Sequence, residues 1–347
     1  MHFSFDPDAA ADPDSGIYGL SATPEKARAH VLAVPFDATT SYRRGAANGP
    51  AAIAAASHQV DLFDRSFGRP YEAGIWYEDD DGTIGAWNAE ASTLAGPIIA
   101  AGGRLGGAPY LADNLARVDE LGDQLNQRVQ AWAANTLNAG RLPFVLGGDH
   151  AVPLGNILAC AERVSGMGIL HIDAHADLRP AYEGFQWSHA SILHNALELG
   201  SNLGPLLQVG LRDLGEHEAA RIHDDEQIHC VFDDDWACAR MAGEPLASRV
   251  QESLRVLPEN VYITIDVDGL CPDLCPNTGT PVPGGLNWAE TMLWLEQLVA
   301  SGRRIIGADL VEVSPGSQPD PKGQGWDAIV GARLLYRLIG ATLASQA

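Results

Sequence analysis

The sequence predicts an α/β protein built on a parallel sheet wrapped by helices, and three observations carry that expectation. Short apolar runs rich in β-forming residues alternate with longer helical patterns along most of the chain. Runs such as VYITI and RIIGA are apolar almost without interruption, as in strands buried on both faces. Polar clusters follow these runs directly: GGDH after VL, DAHAD after LHI, GLRD after LLQV, DVDG after TI and VEVSPG after ADL. Ligands bind outside the carboxyl ends of strands in parallel sheets, so the clusters are expected to converge on one site.

Taken in order, strands are expected at His30 to Asp37, Leu142 to Gly147, Met167 to Asp173, Leu206 to Arg212, Ile228 to Phe232, Val261 to Asp266 and Arg304 to Val311. Helical periodicity covers Asn114 to Ala139, Val152 to Val164, Ser191 to Leu199, Pro245 to Val256, Trp288 to Ser301 and Trp326 to Ser345. The stretch from about 68 to 113 is Gly-rich, dotted with aromatics and marked by the acidic run Glu78 to Asp81, so it reads as a loop-rich insertion. An N-terminal extension occupies about residues 1–29. No repeat or Pro/Ser linker divides the 347 residues, and a single domain over 1–347 is expected.

Composition excludes several function classes. A hydrophobic content of 46% supports a sizeable core and rules out a disordered acidic solvator. The net charge of −23 arises from 22 Lys and Arg against 45 Asp and Glu, with only 19% charged residues, so basic groups are scarce more than acidic ones abundant. Nucleic acid and anionic membranes both need a basic footprint, and neither is expected as a partner. Five cysteines (Cys160, Cys230, Cys238, Cys271 and Cys275) form neither a disulfide framework nor a CxxC zinc pair, which fits a reducing, cytoplasmic setting. MHFSFDPDAAADPDSG lacks the basic and apolar regions of a signal peptide, and no apolar run approaches a membrane span.

The chemistry sits in the polar clusters. HIDAHADLR spaces Asp173, His175 and Asp177 two residues apart, which in an extended segment points all three the same way. Asp266 and Asp268 in ITIDVDGL repeat the spacing, and His150 follows two glycines that allow close backbone approach. A lone Asp-x-Asp is usually a turn or a solvated strand end, and a lone GGDH a turn. Together they place four carboxylates beside two imidazoles, a set that cannot stay ionised without a cation. Two divalent ions would neutralise it.

The set GGDH (Gly147 to His150), DAHAD (Asp173 to Asp177), SHAS (Ser188 to Ser191), DVDGL with CPNTGTPVPGGL (Asp266 to Leu286) and VEVSP (Val311 to Pro315) resembles the ureohydrolase family of arginases, agmatinases, guanidinobutyrases and formiminoglutamases. VPFDATTSYRRGAANGPAAI (Val34 to Ile53) is similar to the agmatinase-like branch, and the resemblance spans Val31 to Ile339. It implies a three-layer α/β/α arginase-like fold around a mostly parallel sheet of about eight strands. It also implies one metal on His150, Asp173, Asp177 and Asp266, and a second on His175, Asp173, Asp266 and Asp268. Water activated by the pair would attack the planar amidino carbon. By the same resemblance, Asp177 would help move a proton to the leaving amine, Glu312 would pair with the guanidinium, and His189 would shuttle a proton. On its own Glu312 could be a structural carboxylate at a strand end, though its place in VEVSP favours the substrate role, and His189 could cap a helix or contact substrate. His58, His171 and His194 fit no ligand pattern and read as packing or supporting residues; Arg212 and Asp213 read as a structural pair.

Ala151, Ala190, Ser314 and Cys271 depart from the usual family pattern without touching the ligands. They bear on the substrate. The loop LRPAYEGFQWSHAS places Tyr182, Phe185 and Trp187 before His189, an expected aromatic wall, while Arg179 would repel a distal ammonium unless it pairs with Glu183. Small polar residues that hold an amino-acid head group in arginases are missing. With ASHQVDLFD (Ala56 to Asp64), these features resemble the branch of guanidine- and biguanide-hydrolysing enzymes, where nickel replaces the manganese usual in the family. The expected reaction is hydrolysis of guanidine or a substituted guanidine to urea or a urea-like product and an amine. Agmatinase, guanidinobutyrase and formiminoglutamase activities are the alternatives within the family. A supporting subunit of a hetero-oligomer and a mononuclear zinc deacetylase are alternatives outside it. The resemblance further implies a homo-oligomer, trimeric or hexameric.

Overall fold

Every strand expected from the sequence forms, and each pairs parallel to its neighbours. The computed structural model describes residues 5–316 and 318–346; the first four residues of the expected N-terminal extension lie outside that range. The strands are β1 (Ala29–Val34), β2 (Ile75–Glu78), β3 (Leu142–Gly147), β4 (Gly168–Ile172), β5 (Leu206–Leu211), β6 (Ile228–Phe232), β7 (Asn260–Asp266) and β8 (Arg304–Val311). They form one sheet in the order β2-β1-β3-β8-β7-β4-β5-β6. Parallel pairing requires a crossover between strands, and helices supply it on both faces.

One face carries α1 (Gly49–Ser57), α8 (Leu246–Ser253), α9 (Trp288–Ala300) and α10 (Trp326–Ala344). The other carries α2 (Thr83–Ala100), α3 (Pro109–Asn138), α4 (Leu154–Arg163) and α5 (Ile192–Leu199). Two short helices, α6 (Glu216–Asp224) and α7 (Asp233–Met241), flank β6. The result is the three-layer arrangement expected. Apolar strand side chains alternate between the layers: Val31, Phe144, Ile172 and Ile265 pack with the α10 side, while Leu32, Val145, Ile169 and Tyr262 pack with the α3 and α4 side. Among the described residues no helix is long and apolar enough to cross a membrane.

The region 68–113 differs from its expectation. In place of loops it holds edge strand β2, helix α2 and the start of α3. Its glycines misled because they sit at the ends of elements: Gly74 and Gly82, both at positive φ, immediately precede β2 and α2. Helices α1, α6 and α7 were also not foreseen. GPAAIAAAS in α1 has no polar face to reveal a period, since much of it is buried against α10.

Candidate metal centre and active site

Four adjacent central strands, β3, β8, β7 and β4, end at the same edge of the sheet and deliver every candidate ligand there. Register sets the level: Ile172 lies beside Ile265, and Asp266 beside Val311, so Asp173, Asp266 and Glu312 emerge together. Two glycines permit the crowding. A β-carbon on Gly148 would fall 1.9 Å from the carbonyl oxygen of Phe36, and one on Gly269 would fall 2.5 Å from the amide nitrogen of Asp173.

The convergence is not the simple strand alternation expected. β4 stops at Ile172, and Asp173 to Asp177 form a tight loop in which Asp177 adopts φ +53°. The Asp173 carboxylate accepts from the His175 amide (2.6 Å), turning the chain on itself. After β7 a 3-10 turn brings Asp268 back, and its amide donates to Asp266 Oδ1 (2.8 Å). Carboxylates this close to their own backbone favour turns over extension, which explains the difference.

All six expected ligands nevertheless meet. His150 Nδ1 lies 3.0 Å from Asp173 Oδ2, 3.1 Å from Asp177 Oδ2 and 3.4 Å from Asp266 Oδ2. His175 Nδ1 lies 3.0 Å from Asp268 Oδ2 and 3.4 Å from Asp173 Oδ1. Asp173 thus faces both imidazoles, one with each oxygen. His171 Nε2 also reaches Asp173 Oδ2, at 2.8 Å.

The electrostatics are those of a cation site. Burial, then the Asp173 charge, raises the Asp177 pKa to about 6. Burial, then Asp268 and Asp173, pushes Asp266 well above the usual carboxylate range. Burial opposes charge on both imidazoles, yet the surrounding carboxylates outweigh it, holding His150 well above its ordinary value and lifting His175 to about 12. Protons here take the place that divalent cations would fill more completely. Carboxylate oxygen and imidazole nitrogen form a donor set that suits Mn(II) and Ni(II) alike.

Support behind His150 was not read from the sequence. Its Nε2 lies 2.8 Å from Thr264 Oγ1, whose hydroxyl donates to Asp309 Oδ1 (2.8 Å) on the neighbouring strand. With the hydroxyl proton committed to the carboxylate, Oγ1 accepts from Nε2–H, which leaves Nδ1 as the nitrogen that faces the cluster and would give its lone pair to an ion. The overlooked signal is a polar residue inside a strand buried on both faces: Thr264 in VYITI and Asp309 in RIIGADLV are both wholly buried.

Glu312 sits on β8's exit at φ +62°, a conformation costing about 1–2 kcal/mol for a residue with a side chain. Its Oε1 accepts from the His150 amide (3.1 Å), while Oε2 is buried without a partner among the described residues. Burial, then Asp266, Asp149 and Asp268, raises its pKa strongly. His189 donates its backbone amide to Thr39 Oγ1 (3.2 Å), and its Nε2 lies 3.4 Å from Ser41 Oγ. Burial, then the positive His175, lowers the His189 pKa to about 4, so its ring is neutral near pH 7.

A cleft of about 360 Å³ opens onto this cluster, lined by His150, His175, Asp177, His189, Asp266 and Glu312 and walled by Tyr42, Arg179, Tyr182, Asp213 and Thr280. Three expectations need correction here. Tyr182 is the one aromatic of its loop in the wall: Phe185 is wholly buried with the α3 side, and Trp187 packs against Gly122 of α3. Arg179 pairs with Glu218 (3.2 Å), not Glu183, and its guanidinium stacks 4.8 Å from the Tyr182 ring centroid. Arg212 does not pair with Asp213. It donates to the carbonyls of Gly210, Asp268, Gly269, Leu270, Val282 and Pro283, clamping the two loops around Asp268, while Asp213 stands exposed at the cleft. A guanidinium with five donors satisfies backbone oxygens that strand ends leave open. His194 meets Arg221 (2.6 Å) and His58 lies 3.1 Å from the Gly16 carbonyl, both remote from the cleft.

A three-layer parallel α/β scaffold with a buried carboxylate and imidazole cluster at its strand ends is the architecture of an enzyme whose site could hold metal ions. Comparison with known proteins narrows this. The Arginase family model matches residues 27–340, and the chain belongs to that family. The N(1)-aminopropylagmatine ureohydrolase of Thermus thermophilus is 31% identical over 326 residues, covering 93% of this chain and 94% of that protein. The guanidinobutyrase of Pseudomonas aeruginosa is 29% identical, covering 89% and 84%. Among solved structures, proclavaminate amidino hydrolase from Streptomyces clavuligerus superposes with a TM-score of 0.71 at 21% identity, covering 97% of this chain and 100% of that one. The enzyme is therefore a ureohydrolase, a hydrolase of C–N bonds in linear amidines.

Proposed function

We propose that this enzyme hydrolyses a small guanidino compound, guanidine or a substituted guanidine or biguanide, using two divalent ions, nickel or manganese. The single observation behind the choice is the cleft's mouth. Arg179, paired with Glu218 and stacked on the Tyr182 face, fills the wall where the tail of an agmatine-like substrate would leave, and so narrows the mouth in favour of a compact substrate. His150, Asp173, Asp177 and Asp266 would hold one ion, and His175, Asp173, Asp266 and Asp268 the other. When bound, such ions would lower the pKa of a water enough to supply hydroxide as a nucleophile at neutral pH.

The chain's own side chains do the rest. Glu312 Oε2 lacks a buried donor, and a planar guanidinium supplies one, fixing the amidino carbon over the cluster. Asp177 lines the cleft beside the cluster, where a carboxylate lone pair not given to an ion can accept a proton and release it. Neutral His189 stands across the cleft within reach of solvent through Ser41, placed to pass a proton at Nε2 to the departing amine. Tyr42 and Tyr182 narrow the mouth and limit water.

Metal-loaded protein assayed against guanidine, biguanides, agmatine, aminopropylagmatine, guanidinobutyrate, arginine and formiminoglutamate tests the reading, and a clear preference for arginine or agmatine overturns it. Asp213 favours a second reading: an exposed carboxylate in the cleft wall could meet the terminal amine of a longer substrate, in line with the name of the Thermus relative. Glu312→Gln should keep its metals and lose about 10–100-fold in kcat/KM, the size of one charge-assisted hydrogen bond.

A further inference from the structure

Beneath the candidate metal centre, four wholly buried polar side chains lie side by side across the sheet: Gln208 on β5, His171 on β4, Thr264 on β7 and Asp309 on β8. Each is the register partner of the next. Proximity alone would make His171 a metal ligand, since its ring nitrogen clusters with His150, Asp173 and Asp177. The hydrogen bonds point elsewhere.

The Gln208 side-chain nitrogen lies 2.8 Å from the carbonyl oxygen of Ala176 and 3.0 Å from His171 Nδ1. A backbone carbonyl only accepts, so the group facing it must be the NH2; turning the amide over would press oxygen against oxygen. The second hydrogen of that NH2 meets His171 Nδ1, which must therefore present its lone pair. Nε2 then carries the ring's hydrogen and aims it at Asp173 Oδ2, 2.8 Å away. The Gln208 carbonyl is left without a partner among the described residues, a cost the amide accepts to keep this orientation.

We propose that His171 is a positioning residue and not a ligand: Gln208 fixes its tautomer, and His171 orients Asp173, one of the two aspartates that both ions would share. The proposal rests on the two-ion reading above. Donors of this kind set the direction of ligand lone pairs, and losing one typically weakens metal binding by about 10–100-fold.

Metal content after dialysis against a chelator, metal affinity by competition with an indicator dye, melting of the metal-free protein, and kcat and KM should be measured for wild type, His171→Phe, His171→Gln, Gln208→Leu and the Phe/Leu double variant. His171→Phe should weaken metal binding about 10–100-fold. His171→Gln, whose amide nitrogen reaches about as far as Nε2, should recover most of that loss. Gln208→Leu should fall between, and should add nothing in the His171→Phe background, because its effect passes through the ring. Melting of the metal-free variants separates misfolding from lost affinity, and His171→Gln with Gln208→Leu carry the test if the Phe variant does not fold. Loss of one ion per chain in His171→Gln makes His171 a ligand and overturns the proposal. So does a Gln208→Leu loss that adds in full to that of His171→Phe. Wild type that binds two ions and is indifferent to all four variants overturns this proposal alone, whereas wild type that binds none overturns the two-ion reading beneath it.

Discussion

The two halves of the cluster are built differently. Around His150, side-chain exposure is 1%, three carboxylates crowd one ring nitrogen, and the other is anchored through Thr264 to Asp309. Around His175, exposure is 26%, the ring touches Asp268 and Asp173, and it faces the open cleft. The inner half is positioned by the sheet itself, since Thr264 and Asp309 are strand residues. Both halves draw aspartates from the 173–177 loop, but in the outer half the imidazole itself, His175, lies in that loop and Asp268 sits on the turn that Arg212 clamps. A sheet is stiffer than a loop, so an ion in the inner half should be held more tightly and exchanged more slowly than one in the outer.

The largest expected effect comes from Asp173, the shared aspartate that meets both imidazoles. Asp173→Asn should remove both ions and lose activity by more than the 10–100-fold typical of a supporting residue; a variant that keeps two ions by elemental analysis would break the picture of a shared ligand. Next come the imidazoles taken separately. His175→Asn should leave close to one ion per chain, whereas His150→Asn should leave less than one, because Asp173 then loses its inner partner too. Equal losses in the two variants, read by mass spectrometry of the dialysed protein, would show that the halves are equivalent.

A smaller effect is expected one layer further out. Thr264→Val cuts the link from His150 to Asp309 and should weaken the more tightly bound ion about tenfold, leaving the weaker one unchanged. Weakening of both would mean that the sheet supports the whole cluster.

A separate test lies in pH. His150 and His175 have pKa values raised on folding, so their bound protons stabilise the metal-free protein fully below about 6.5, and that contribution is lost as pH rises towards the folded values. Asp266 and Glu312, also raised, act in the same direction. Lowered His189 acts oppositely, but only between about 4 and its ordinary value. From pH 6 to pH 8 the metal-free protein should therefore lose about 1.4 kcal/mol of stability per pH unit for each extra bound proton, and its Tm should fall accordingly. Metal-loaded protein should lose that slope, because the ions have displaced the protons. An identical slope in both forms would argue against ion binding at these residues.

The sequence exposed the strands and the ligands for the same reason. Strands buried on both faces leave long apolar runs, and the polar residues that end them stand out: Asp173, His175, Asp266 and Asp268 were all visible this way. Three things were hidden. Helix α1 is so buried that it has no polar face to set its period. The loop geometry of Asp177 and Glu312 depends on positive φ, which no side-chain pattern announces. Cross-strand partners cannot be seen along the chain, so Arg212 was paired with its neighbour Asp213 when its donors reach carbonyls from Asp268 to Pro283. The row Gln208, His171, Thr264 and Asp309 was half legible: each is a lone polar residue inside an apolar run, but only register shows that the four are adjacent.

Glu312 carries one last consequence, through its backbone. Its left-handed conformation is one that glycine adopts without cost, and its carboxyl is buried against like charges. Replacing it with glycine relieves both strains at the cost of the hydrogen bond from the His150 amide, so a variant that lacks the proposed substrate contact should be the more durable protein. Any search for thermostable variants that does not also screen for turnover will be drawn to this position, and will drift away from catalysis as it succeeds.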